Sequence, residues 1–258
     1  MSVTIHPTAS IDPTATLGTG VEIGAYVIIG PRVIVGDGTR VQPRATIAQD
    51  TVIGKECDVG VGAVLGSEPQ DFKYRGEPTR LVVGDRTVIR EYATLHRGTG
   101  AGGCTSVGRR CYLMAYSHVG HDCVLEDDVV LANAVQLGGH VHLEASVTIG
   151  GSSAVHQFVR IGTHAFIGGG SRVVQDVPPY TKAAGNPLKL YGINSLGLAR
   201  AGFDPARRFC LKRAWRLLFN SKLRLSEAME RVREEYGDLP EVRRLIEFVE
   251  QSRRGIPA

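Results

Sequence analysis

The sequence predicts an all-β solenoid, a parallel β-helix of hexapeptide repeats followed by a C-terminal α-helical cap, and three observations predict it. Large aliphatic residues recur at every sixth position from Ile5 to Leu65 and again from Val83 to Val173, with breaks only at Asp71, Glu77 and Ala101. The fourth residue after each is usually Ala, Val, Thr, Ser or Cys. The pattern stops at Asp176-Val177-Pro178-Pro179, and the chain beyond has another character. A helix would repeat apolar residues every three or four positions and a half-buried strand every two. A period of six fits neither, and a repeat missed is a fold misread.

A six-residue unit with one large and one small inward side chain makes one flat face of a coil. Three faces close a triangular turn of about eighteen residues, and turns stack as parallel strands about 4.8 Å apart. Glycines suit corners where a positive φ is needed. The repeat resembles that of left-handed parallel β-helix proteins, an exception to the right-handed crossover rule, and the handedness rests on that resemblance. A solenoid buries its core only by stacking, so its ends need covers.

In chain order, residues 1–65 read as purely structural. Residues 66–82, GSEPQDFKYRGEPTRLV, leave the lattice for twelve positions and return in phase, so they must loop out from one corner. Long loops of this kind are often functional. A shorter, glycine-rich departure covers 98–105. The β-helix is expected over 1–178, because paired prolines cannot continue a hydrogen-bonded ladder. Residues 179–258 form the linker and helical domain, with 178–194 an irregular linker or short helix. Asp204-Pro205 reads as a helix start, Asp as cap and Pro in the first turn. Helices are expected over 205–219, 226–236 and 240–252.

Residues 195–258 carry 14 Lys and Arg against 9 Asp and Glu, a net +5 within a chain total of +4, which leaves −1 for residues 1–194. The basic character therefore sits in the cap, as a solvated face or a surface for an anionic ligand or acidic partner. Cys57, Cys111 and Cys123 fall on the small inward position, which favours packing over disulfides or metal. No apolar run approaches the roughly 20 residues of a membrane span. With no charged start and apolar stretch in residues 1–10, the expected location is cytoplasmic.

The chemistry concentrates between Ala115 and Phe158, where His118, His121, Asp122, His140, His156 and Gln157 occur within the repeat. At eighteen residues per turn, His121, Gly139 and Gln157 share one column, and Asp122 lies under His140. Imidazole titrates near neutrality and can take a proton, especially where a carboxylate fixes its tautomer. Neighbours on a strand point to opposite faces, so contact between His121 and Asp122 requires a corner.

At these residues the chain resembles the UDP-N-acetylglucosamine acyltransferases that begin lipid A synthesis. The resemblance is carried by QDFKYRGEPTRL at 70–81, HRGT at 96–99, HVGHDC at 118–123, LGGH at 137–140, AVHQF at 154–158 and QDVPPY at 175–180. It implies transfer of an (R)-3-hydroxyacyl group from acyl carrier protein to the glucosamine 3-hydroxyl of UDP-N-acetylglucosamine. It implies no metal, cofactor, nucleic acid or membrane insertion. By the same resemblance His121 is the general base, Asp122 orients it, and the Gly139 N–H faces the developing oxyanion. Asp71, Lys73, His118, His140 and Gln157 hold the sugar and diphosphate, and Asn194 and Arg200 reach the nucleotide from a neighbouring subunit of a homotrimer. Gly169 matches the position that sets acyl length. The family stretch NxEGLxRRGF reads NSLGLARAGF here, so Leu196 and Ala201 replace a frequent carboxylate and arginine. The 3-amino analogue of the acceptor stays open, since one base serves an oxygen or a nitrogen nucleophile. A zinc reading would instead recruit His118, His121 and His140 as ligands.

Overall fold

Short strands of the repeat stack into three parallel sheets that form the faces of a triangular prism. The computed structural model describes residues 2–257. The first face begins at Thr4–Ile5, the second at Ser10–Ile11 and the third at Thr16–Leu17, and each next strand pairs with the one a full turn earlier. The winding is that of a left-handed parallel β-helix.

The aliphatic lattice forms the core: Ile29, Ile47, Leu65, Leu95, Leu113, Leu131 and Ile149 are at most 2% exposed. Truncating one such residue to Ala costs about 2–5 kcal/mol, because the stacked turns leave the hole little room to collapse. Cys57, Cys111 and Cys123 are buried in this core, and all five cysteines are free thiols. At most corners the second residue has a positive φ, including Tyr26, Asp50, Asp122, His140 and Phe158. The corner is thus a standing feature of the repeat, held in the left-handed region by the stack despite the steric cost to residues with a β-carbon.

Register records the two excursions. Ile34 pairs with Val52 eighteen residues on, Val52 with Val82 thirty on, and Val82 with Ser106 twenty-four on, before the spacing returns to eighteen at Tyr112 and Val130. The extra residues are multiples of six, so every later aliphatic still points inward. Both excursions leave the corner between the second and third faces, one turn apart. The corner that carries His121 and Asp122 follows in the next turn, so the loops sit beside it.

The proline pair does not end the ladder. Thr181–Ala184 adds a parallel strand to Phe166–Ile167, and Lys189–Ile193 returns antiparallel to it. The expected linker or short helix over 178–194 is therefore a β-hairpin. In the regular coils a corner N–H donates to the coil above, as Gly120 does to Leu137. At Pro178 and Pro179 the missing donors fall at the last coil, where no further coil follows. The hairpin leads into α1 (Ser195–Arg200), which sequence reading missed, then α2 (Pro205–Phe219), α3 (Leu225–Tyr236) and α4 (Pro240–Gln251). Asp204 caps α2 by accepting from the Arg207 N–H at 2.8 Å, as expected.

The helices bury Leu211, Ala214, Val232, Val242 and Leu245 against one another and Tyr180. They are tied to the third face by Arg244 on buried Glu144 at 2.9 Å and by the Arg160 guanidinium 3.9 Å from the Phe248 ring centre. Among the described residues, no helix is long and apolar enough to cross a membrane.

Candidate active site

The corner between the second and third faces collects five of the expected residues. His121 and Asp122 occupy it in one coil, Gly139 and His140 in the next, and Gln157 and Phe158 in a third. The Asp122 φ of +58° turns two sequence neighbours to the same side, and His121 Nδ1 lies 2.8 Å from Asp122 Oδ2. Although burial opposes it, hydrogen bonds from Thr99 and His121 hold the Asp122 carboxyl below the usual carboxylate range. An ionised carboxylate only accepts, so Nδ1 carries a proton, and in the neutral ring Nε2 is the nitrogen with a free lone pair.

Gly139 lies against that ring. A β-carbon built on it would sit 2.6 Å from both Cε1 and Nε2 of His121, so only glycine leaves the imidazole its place. The Gly139 N–H donates to no acceptor among the described residues, leaving a free backbone donor beside the base.

His140 meets the His121 ring edge to face at 5.1 Å between centroids and stacks on Phe158 at 4.6 Å and 8°. Its Nε2 is 3.7 Å from Asp122 Oδ2. Phe158 is the sandwich partner that sequence reading left without a role; its signal was the eighteen-residue spacing from His140. His118 stands on the second face, with Nδ1 2.8 Å from Thr94 Oγ1. Burial, with His96 and His121 nearby, pushes its pKa down to about 4, so it is neutral near pH 7. His156 is exposed and bonds the Gln157 carbonyl at 3.0 Å, which leaves it outside the cluster.

A cation-binding group would not be the trio His118, His121 and His140. The ligand atoms that converge, within 4.8 Å of one another, belong to His121, Asp122 and His140, while His118 stays with Thr94.

The first excursion carries Asp71 and Lys73, where Asp71 Oδ1 accepts from the Lys73 N–H at 2.9 Å and Phe72 between them is fully exposed. Its base is fastened by Arg97, which donates to the Gly66 carbonyl and the Tyr74 hydroxyl, each at 3.0 Å. His96 Nδ1 contacts the Glu68 carbonyl, and its ring lies 5.3 Å from that of His118. These links within HRGT were not read from sequence, because they depend on the register shift that the excursions produce.

Asn194 and Arg200 line a separate cleft of about 460 Å³ with Phe166, Lys182 and Leu196. Asn194 caps α1 by accepting from the Gly197 N–H at 3.1 Å and donates to the His164 carbonyl at 3.0 Å. Gly169 lies on another corner, after Phe166–Ile167, and is exposed; the positive φ in that run belongs to Gly170.

The family described as UDP N-acetylglucosamine O-acyltransferase, domain 2, matches residues 176–257. The acyl-[acyl-carrier-protein]–UDP-N-acetylglucosamine O-acyltransferase of Gloeothece citriformis is 49% identical over 252 residues, covering 98% of this chain and 91% of its own. Among solved structures, the UDP-N-acetylglucosamine acyltransferase of Bacteroides fragilis superposes with a TM-score of 0.96 at 35% identity, covering 98% of this chain and all (100%) of its own. The O-acyltransferase of Moraxella catarrhalis gives 0.94 at 40% identity, covering 98% and 99%.

Proposed function

The chain belongs to the acyl-[acyl-carrier-protein]–UDP-N-acetylglucosamine O-acyltransferases, and from that premise we propose that it acylates the glucosamine 3-hydroxyl of UDP-N-acetylglucosamine with an (R)-3-hydroxyacyl group from acyl carrier protein, the first step of lipid A synthesis. The observation that carries this reading is the His121–Asp122 pair at 2.8 Å beside a glycine with a free N–H.

In this reading His121 Nε2 accepts the proton of the 3-hydroxyl as its oxygen attacks the thioester carbonyl. Asp122 holds Nδ1–H and stabilises the imidazolium that forms. The Gly139 N–H supports the oxyanion, and collapse expels the carrier's thiolate, which recovers the proton from His121. General-base help of this kind contributes about 10²–10⁴ in rate. One oxyanion donor contributes roughly 10²–10³.

Asp71, Lys73, His118, His140 and Gln157 are the acceptor-binding set of this proposal. Neutral His118 offers a hydrogen bond rather than a charge. Asn194 and Arg200 serve the nucleotide of a neighbouring site in a homotrimer, in which a heterologous, closed ring is the natural symmetry. Asn194 has spent one lone pair and one amide proton inside its own chain, so Arg200 is the stronger contact. Gly169 faces the acyl tail, and the enzyme works in the cytoplasm without metal or cofactor.

The test is a product assay with UDP-N-acetylglucosamine and its 3-amino analogue, each with acyl carrier protein thioesters of several lengths. The proposal expects an ester at the 3-position from the hydroxyl acceptor, undiminished by chelators. Absence of that product, or activity that disappears on chelation and returns with metal, contradicts it and favours a metal at His121, Asp122 and His140.

A further inference from the structure

We propose that Thr99 is a positioning residue for the reaction, clamping the Asp122 carboxylate in the one orientation that serves His121, and that HRGT at 96–99 thereby joins the loop of Asp71 and Lys73 to the base. The inference rests on the reading of His121 as general base.

Thr99 belongs to the second excursion and meets Asp122 with both of its donors. Its hydroxyl donates to Oδ2 at 2.6 Å, and its N–H reaches Oδ1 at 3.0 Å and Oδ2 at 3.1 Å. The Asp122 N–H in turn donates to Thr105 Oγ1 at 2.8 Å, so the far end of the same excursion holds the backbone behind the carboxylate. Gly98 permits the approach: a β-carbon there would lie 2.4 Å from the Cys104 nitrogen and 2.8 Å from Asp122 Oδ1. Oδ2 therefore accepts from Thr99 on one side and from His121 Nδ1 on the other. Hydrogen bonds to an ionised acceptor are stronger than neutral ones and favour its charged form.

The other half of the motif points away from the dyad. Arg97, 3% exposed, grips Gly66 and Tyr74, and His96 contacts Glu68. Four consecutive residues thus hold the acceptor loop at one end and the carboxylate at the other. A loop that closed only for its own stability would need neither the hydroxyl nor its aim at Oδ2.

Thr99→Val keeps the side-chain shape and the N–H but removes the hydroxyl donor, whereas Thr99→Ser keeps the donor. Without it Asp122 binds a proton more readily, and while ionised it raises the proton affinity of His121; both effects move the acid limb of the pH profile upward. Thr99→Val is expected to lower kcat about 10-fold or more with the KM for the UDP-sugar within threefold, and to shift the acid limb of kcat/KM to higher pH. Thr99→Ser is expected to restore both. Wild-type kcat with an unmoved limb in Thr99→Val overturns the proposal, as does a Thr99→Ser variant as impaired as Thr99→Val.

Should Thr99→Val fail to assemble, a carboxyl NMR titration of the wild-type protein decides: Asp122 must titrate below an ordinary aspartate, and titration at or above that value overturns the clamp. His121→Ala measured alongside separates the two readings. Activity kept in His121→Ala removes the base; activity lost there but kept in Thr99→Val removes Thr99 alone.

Discussion

A β-carbon on Gly139 would stand 2.6 Å from Nε2 of His121, one coil below it. The two residues are eighteen apart in sequence, and the space that one lacks is the space that the other's ring fills. Gly139→Ala should therefore displace the imidazole rather than merely crowd a substrate. We expect kcat to fall at least 100-fold in folded protein, the scale of a lost catalytic group, with the His121 ring moved in its crystal structure. An unmoved ring and near wild-type kcat would show that the corner relaxes.

His118 contributes to the pH dependence of stability. Its folded pKa of about 4 lies below the ordinary histidine value of 6.5, so the unfolded chain binds more protons between these values. Stability should thus rise as pH climbs from 4 to 6.5 and be lost as pH falls through that window. Denaturant unfolding of wild type and His118→Gln at pH 4.5 and 6.5 checks this. The variant should lose less on acidification, and equal losses would remove His118 as the source.

Arg200 shares its cleft with exposed Leu196. If Arg200 meets the nucleotide in ground and transition states alike, Arg200→Ala raises the KM for the UDP-sugar more than it lowers kcat. Steady-state kinetics checks it, and an unchanged KM means a different nucleotide pose.

Gly169 does not carry a positive φ, and the nearest atom to a β-carbon there is the Gly151 carbonyl oxygen, at 3.2 Å, with the Gly151 nitrogen at an ordinary 3.7 Å. The fold should then accept Gly169→Met with a shift of a few tenths of an ångström. Each buried methylene contributes roughly 0.8 kcal/mol, so blocking a few carbons reverses a length preference. With a long natural chain of about fourteen carbons expected from the family resemblance, the variant should prefer about ten. Competition among acyl carrier protein thioesters reads this directly, and an assembled variant with the original preference removes Gly169 as the ruler.

The prism was legible because its information is periodic: a lattice from Ile5 to Val173 survives two excursions whose lengths are multiples of six. The column of His121, Gly139 and Gln157 followed from the same arithmetic. Contact between His121 and Asp122 was not certain from sequence, since it depends on the positive φ at Asp122. The roles of Arg97 and Thr99 were invisible for a different reason. They depend on where a loop folds back, and no periodic signal reports that. The hairpin at 181–193 was hidden by the prolines before it, whose missing donors matter only where another coil follows.

If His121 is the base, turnover must collapse in His121→Ala while the protein stays folded. A fall of at least 100-fold is expected, the scale of general-base assistance, with assembly unchanged. Turnover close to wild type in folded His121→Ala would remove His121 as the base.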